Sequence, residues 1–408
     1  MVPGMKRSYS QEGYIQATPN TQLDFTALQR LIDEVIEPSA SIVDQNKLFP
    51  KEGLKALAEA GFFKLTIPTV YGGWDAKPTD VSRAIAMIAK ACASTAMVYV
   101  MHLTTVNSLI FYCNERQREK YLQPVVDGKW LATEAISEPG SGSQWWSLIS
   151  TAERLDSGQY HICAKKSFCT SAGFADLYTV STVAPNSGDH KEHALFIVTA
   201  DTPGIRPGEW NGVGLVGNMS GTIDFDCIID PDCLLFGGSG DGLRLYNEAN
   251  QPIYHLGVAS VYIGIARAAY EKAVERVRTR RYSRDATVYS KNLSNYPAAQ
   301  RHIGSMAIRL LQAESLVNDF ARSMENKESF HDLAIKMTAV KVATAEAAFA
   351  VAHEAMLTSG GSSYIKGLMP LERYLRDALA ASLMGPNDDF CKELIGRLAL
   401  GLGTYHDL

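Results

Sequence analysis

No stretch of this chain is apolar for long enough to read as a membrane span. The most apolar long segment, residues 95–112, is broken by His102, Thr104, Thr105, Asn107 and Ser108, and reads as a buried helix. Residues 1–20 are polar and lack the apolar stretch of a secretory signal, so the expected location is the cytoplasm. There is no cationic excess either. Lys and Arg number 39 against 44 Asp and Glu, a net charge of −5, which argues against a nucleic-acid partner. The seven cysteines are odd in number and show no Cys-x-x-Cys spacing, so reduced thiols are expected and a metal site is not.

What is present is a large apolar fraction, 46% over 408 residues, enough for two or three domains. The pattern changes twice along the chain. From about residue 24 to 127 helical signals dominate: Pro50 precedes the apolar face Leu54, Leu57, Ala58 and Phe62, and Pro78 opens a three-four repeat through Val81, Ile85, Ile88 and Cys92. From about 131 to 236, short β-branched and aromatic runs (160–163, 177–183, 195–199, 223–229) alternate with turn clusters, as in a small β-barrel or sandwich. From about 241 onward, Ile303, Met306, Leu310, Ala313, Val317 and Phe320 restore the helical period, and 333–356 is rich in alanine, which fits a four-helix bundle. Residues 284–297 form a polar connection within it. The expected division is a flexible arm at 1–22, a helical domain at 23–128, a β domain at 129–238 and a helical bundle at 239–408.

Two segments carry chemistry. Ser137-Glu138-Pro139-Gly140-Ser141-Gly142-Ser143 follows a predicted strand, and its glycines and hydroxyls let backbone amides approach a ligand closely. Lys166-Ser167-Phe168-Cys169-Thr170-Ser171-Ala172 places an aromatic and a hydroxyl two residues apart, on one face of a strand. That face could stack on a flat ring and donate to it, or simply be a core phenylalanine with a solvent-facing threonine. A basic run, Arg276, Arg278, Arg280, Arg281 and Arg284, is by default a solvated helix face.

The pair of segments resembles the flavin-binding strands of the acyl-CoA dehydrogenase superfamily, whose pattern is Thr-Glu-Pro-x-x-Gly-Ser followed by Trp-x-Thr. Further matches follow in order: Gly264 in a helix, Arg280, the pair Gly360-Gly361, and Arg373, Arg376, Asp377 and Ala378 for the family's Arg-x-x-Arg-Asp-Ala. The resemblance implies a mainly α fold with a central β domain: an N-terminal helical domain, a middle β-barrel and a C-terminal four-helix bundle. It implies FAD, with FMN as the alternative, held by Ala135, Ile136 and Ser137, with Phe168, Cys169 and Thr170 at the isoalloxazine ring and Ser143 facing substrate. Arg280 and Gln300 would reach the pyrophosphate across a subunit interface, Gly360 and Gly361 would approach it by backbone, and Asn387 and Asp389 would lie toward the adenine end. A homodimer or homotetramer is implied as well.

One departure stands out. The family's glutamate base lies nine residues after the second arginine of that run, which here is Gly385, or ten before the helix glycine, which here is Tyr254. Neither is a carboxylate, and an unperturbed tyrosine, with a pKa of about 10, is a poor base at neutral pH. The remaining candidates for catalysis are His102, Ser143, Tyr254 and His255. Gly385-Pro386 resembles the flavin monooxygenases of this fold, which use reduced flavin from a separate reductase, oxygen and a small organic or carrier-bound substrate. The alternatives are an acyl-CoA or acyl-carrier-protein dehydrogenase or oxidase with a relocated base, and a non-catalytic flavoprotein.

Overall fold

A computed structural model of the chain describes residues 23–142, 144–237, 242–282 and 291–403. The expected arm at 1–22, the junction at 238–241 and part of the polar connection (283–290) lie outside the described residues, as does Ser143. The first zone is helical: α1 (Phe25–Leu31), α2 (Glu37–Gln45), α3 (Lys51–Glu59), α4 (Pro78–Ala91), α5 (Ala93–Tyr112), α6 (Glu115–Gln117) and α7 (Gln123–Val126). Pro78 is tolerated as the first residue of α4 because the first turn needs no donor there, and Val81, Ile85 and Ile88 form its buried face. Helix α5 is buried almost all round, because α8 packs on it from one side and the first strand from another. No described helix is long and apolar enough to cross a membrane.

Among the described residues the middle zone has eight strands: β1 (Ala132–Ala135), β2 (Thr151–Arg154), β3 (Tyr160–Cys169), β4 (Leu177–Val183), β5 (His193–Thr199), β6 (Ile205–Pro207), β7 (Gly221–Ile229) and β8 (Leu234–Phe236). They form one sheet in the order β6-β7-β3-β2-β4-β5-β8, and β1 pairs in parallel with β4. The sheet encloses its own apolar core, from Ala135 and Ile162 to Phe196 and Phe225.

The last zone contains α8 (Gly242–Thr279), α9 (Pro297–Glu325), α10 (Phe330–Ser359), α11 (Leu371–Leu383) and α12 (Asp388–Ala399). Its core is continuous with that of the first zone, in one cluster running from Leu28 to Ala381. Gly264 lets the two zones approach closely: a Cβ there would stand 2.4 Å from the Ala89 methyl and 2.7 Å from Ala86 O of α4. The Arg376-Asp377 run clamps this junction. Arg376 donates both guanidinium nitrogens to Asp44 of α2, at 2.8 and 2.6 Å, and Asp377 accepts Leu215 N–H at 2.7 Å.

Candidate functional site

The two chemistry-bearing segments come together where β1 and β3 end. Ser167 N–H donates to Ser137 O at 2.8 Å, the Thr133 hydroxyl donates to Thr170 O at 2.7 Å, and the Cys169 thiol donates to Glu134 O at 3.3 Å. Beneath them lies a buried ion pair. Lys166 Nζ is 2.6 Å from Glu138 Oε1, with the two side chains 0% and 2% exposed, and Lys166 also donates to Ile136 O and the Ser181 hydroxyl. Glu138 accepts the Ile149 and Ser150 amides as well. Burial opposes its charge, but Lys166 and these donors hold the carboxyl below its ordinary range. The same burial pushes the Lys166 ammonium down to about 8.

Phe168 and Thr170 do not share a face as their spacing predicts. A bulge between Lys166 and Cys169 breaks the alternation of β3, and Phe168 takes a φ of 52°. The two side chains therefore part: the Phe168 ring is 72% exposed, while Thr170 is buried with its hydroxyl 3.2 Å from that of Ser220. Cys169 turns into the β core, where burial pushes its thiol up to about 12, a value at which it is inert as a nucleophile.

His102 is a core histidine and is not brought to the site. Its Nε2 meets Phe63 O at 3.0 Å, its Nδ1 accepts Ala132 N–H at 3.1 Å, and burial pushes the imidazole down to about 4. His255 is likewise neutral, pushed by burial down to about 4, with Nδ1 bonded to Gln251 O at 2.8 Å, yet it lines a cleft. That cleft is walled by Trp145, Trp146, Gln251, His255, Pro386 and Phe390. Trp145 also packs in the same apolar cluster as Ile136 and Tyr246, so cradle and cleft adjoin. Gln251 Oε1 is buried there without a hydrogen-bond partner.

Tyr254 and Gly385 meet at the same edge, the Tyr254 hydroxyl donating to Gly385 O at 2.6 Å. Burial raises that hydroxyl well above its usual range, so Tyr254 is not a base near neutrality. Asn387 caps α12, accepting Phe390 N–H at 2.9 Å, and Asp389 is exposed beside it. Arg280, Gln300, Gly360 and Gly361 form a separate, exposed group at the ends of α8, α9 and α10, where Arg276 reaches the Ser362 hydroxyl at 3.3 Å. Along α8, Arg280 lies 26 positions past Tyr254, about 39 Å of helix.

Glu134 is a residue that the motifs do not reveal. It sits on β1 immediately before the cradle, 4% exposed, accepting from Asn250 Nδ2 and, at 3.3 Å, from the Tyr246 hydroxyl, both of α8. Burial pushes its carboxyl up to about 7, and those two donors only partly offset this. The available signal was the polar stripe Tyr246, Asn250 and Tyr254, spaced by four on one face of α8.

Comparison with known proteins decides the family. Models of the acyl-CoA dehydrogenase N-terminal, middle and C-terminal domains match residues 20–129, 133–228 and 249–400. The chain belongs to the acyl-CoA dehydrogenase family. An acyl-CoA dehydrogenase of Bacillus subtilis (strain 168) is 30% identical over 90% of this chain and 94% of its own length. The acryloyl-CoA reductase (NADH) of Anaerotignum propionicum is 28% identical over 89% and 90% of the two chains. Among solved structures, butyryl-CoA dehydrogenase from Megasphaera elsdenii superposes with a TM-score of 0.85 at 23% identity, covering 94% of this chain and 99% of that one. A prolyl acyl carrier protein oxidase superposes with a TM-score of 0.81 at 22% identity, covering 94% and 100%. As a member of the acyl-CoA dehydrogenase family, the chain is a flavin-dependent oxidoreductase with an N-terminal helical, a middle β and a C-terminal helical part.

Proposed function

We propose that this flavoenzyme is an acyl-thioester dehydrogenase or oxidase, acting on a small acyl group bound to coenzyme A or to an acyl carrier protein. The observation that carries the reading is the contiguity of cradle and cleft: Ile136 of the cradle and Trp145 of the cleft wall share one apolar cluster, and the Tyr254–Gly385 contact borders the cleft at Pro386. An apolar, aromatic-walled cleft beside a ring-binding strand suits a short acyl chain laid against a flat oxidant.

The chain's residues fit a flavin. A Cβ added at Gly140, Gly142, Gly360 or Gly361 meets nothing within 4 Å, so these backbones border open space rather than packed protein. The Phe168 ring is exposed, and the Ser171 and Ser359 hydroxyls are buried without a hydrogen-bond partner. Ala135, Ile136 and Ser137 would hold the ring with the exposed Phe168, while Arg280, Gln300, Gly360 and Gly361 would serve the diphosphate of a partner subunit's FAD. When bound, the flavin supplies a two-electron acceptor. The β1–β3 junction orients it, and the aromatic wall keeps water from the acyl chain.

A second reading, an oxygen-using monooxygenase fed by a separate reductase, draws on Gly385-Pro386 standing where the family's carboxylate would be. Anaerobic mixing separates the two. Flavin-loaded protein is mixed with short acyl thioesters of coenzyme A and of carrier protein while the flavin absorbance is followed. Bleaching is the expected result. No bleaching by any thioester, with oxygen incorporated into product once reduced flavin is supplied, would establish the second reading instead.

A further inference from the structure

Five carboxylates are buried among the described residues, namely Asp44, Glu134, Glu138, Asp377 and Asp388. Three are paired with a cation: Asp44 with Arg376 at 2.6 Å, Glu138 with Lys166 at 2.6 Å and Asp388 with Lys341 at 2.7 Å. Asp377 accepts a backbone amide beside Arg373 and Arg376. Glu134 is held by neutral donors alone, Asn250 and Tyr246, with Asn250 oriented in turn by the Ser108 hydroxyl of α5 at 2.9 Å. Burying a carboxylate without a cation is costly, and such a group directly beside the cradle strand is a candidate for function rather than for stability.

Its position suits a proton-transfer role. Glu134 immediately precedes the cradle residues Ala135 to Ser137, and its side chain enters the α8 face that also carries Tyr254. The groups that face it are Tyr246 and Tyr254 from α8 and Cys169 from β3, all kept neutral by burial; the nearby ammonium of Lys166 is taken up by Glu138.

We propose that Glu134 is the base of this enzyme, taking over on β1 the proton-accepting task that Gly385 and Tyr254 have vacated. The inference rests on the acyl-thioester reading. The Cα–H bond breaks and its proton passes to the Glu134 carboxylate. The Cβ–H bond breaks with its electron pair passing to the flavin, and the electrons left at Cα form the double bond. The thioester is oxidised and the flavin is reduced by two electrons. A carboxyl held near neutrality matches this task, because the ideal base has a pKa close to the working pH.

The test compares wild type with Glu134→Gln and Glu134→Asp. Thioester-driven bleaching is expected to slow by about 10² to 10⁴-fold in Glu134→Gln, with thioester affinity within a few-fold of wild type and partial recovery in Glu134→Asp. The pH profile of the wild-type rate should rise through the neutral region, and that rise should vanish in the Gln variant. A readout independent of turnover is infrared difference spectroscopy of the apoprotein: Asp377, pushed by burial up to about 6, contributes a carboxylic-acid band in both proteins, and the wild-type spectrum minus that of Glu134→Gln should show a further band titrating near 7. If wild type bleaches and Glu134→Gln bleaches equally fast, the inference is overturned and the thioester reading stands. If wild type is not bleached by any thioester, both fall. If Glu134→Gln does not fold, Glu134→Asp carries the test: a wild-type rate and pH profile there would overturn the inference, whereas a slowed rate with a displaced pH profile would support it.

Discussion

The Tyr254 hydroxyl donates to the carbonyl of Gly385 at 2.6 Å, so the two positions that the sequence resemblance marks for a glutamate touch each other, and neither is acidic. Because Tyr254 bonds to main chain, a side chain introduced at Gly385 would leave that contact intact, and a Cβ there meets nothing within 4 Å. Gly385→Glu is therefore expected to fold. In a Glu134→Gln background it should restore thioester-driven bleaching by at least about tenfold, the low end of what one positioned base contributes. No gain would mean that position 385 no longer faces the α-carbon.

The buried pair Lys166–Glu138 positions the cradle. Its ammonium reaches Ile136 O, and its carboxylate accepts the Ile149 and Ser150 amides. Removing one partner leaves an uncompensated charge, so Lys166→Met or Glu138→Gln should cost about 3–5 kcal/mol and weaken flavin binding together. The exposed pair Lys90–Glu271, at 39% and 45% side-chain exposure, is the control, and breaking it should cost under about 1 kcal/mol. Chemical denaturation with a flavin titration checks both.

Much of this architecture is legible because it follows from local residue types and the lengths of apolar runs. The strand at 177–183 shows in the sequence as a short β-branched and aromatic run between turn clusters, and the helix through His102 as a long apolar segment broken by polar residues; both are buried nearly all round. Phe168 and Thr170 failed the same logic because a bulge after Lys166 inserts a residue into β3, and nothing in the local residue types announces a bulge. Glu134 was invisible for another reason. In Ala-Thr-Glu-Ala it is one acid on a short strand, and its meaning depends on Tyr246 and Asn250, over a hundred positions away, being folded against it. The cradle motif could be read locally; the base could not.

Glu134 also predicts how stability depends on pH. Its folded pKa, about 7, is raised above the ordinary 4.5, so the folded state holds a proton that the unfolded state has lost between those values. The associated stability is fully present below about 4.5 and is lost as pH rises through about 7. His102 and His255, both lowered to about 4 from 6.5, act in the opposite sense, adding stability as pH rises through that window. The raw profile mixes these contributions, so the informative quantity is a difference. The stability of Glu134→Gln minus that of wild type should grow from pH 4.5 to 7 and then level off, measured by urea unfolding across that range. A flat difference would mean that Glu134 titrates normally.

Arg280 predicts how sites are shared between subunits. It lies about 39 Å of helix beyond Tyr254, with its guanidinium 5.6 Å from the Tyr282 ring and exposed, too far along α8 to serve the cleft of its own chain. If it holds the diphosphate of a partner's FAD, two defective chains should complement each other. Arg280→Ala should weaken flavin binding in its own homo-oligomer, and Ser137→Trp, which fills the cradle, should abolish it. In a mixed dimer, the cradle of the Arg280→Ala chain receives an intact arginine from the Ser137→Trp chain, so one flavin per dimer should bind at near wild-type affinity. If Arg280 served its own chain, neither site of the mixed dimer would be complete, and affinity would stay at the level of the Arg280→Ala homo-oligomer. Flavin fluorescence titration of tagged, co-purified mixed dimers distinguishes the two arrangements.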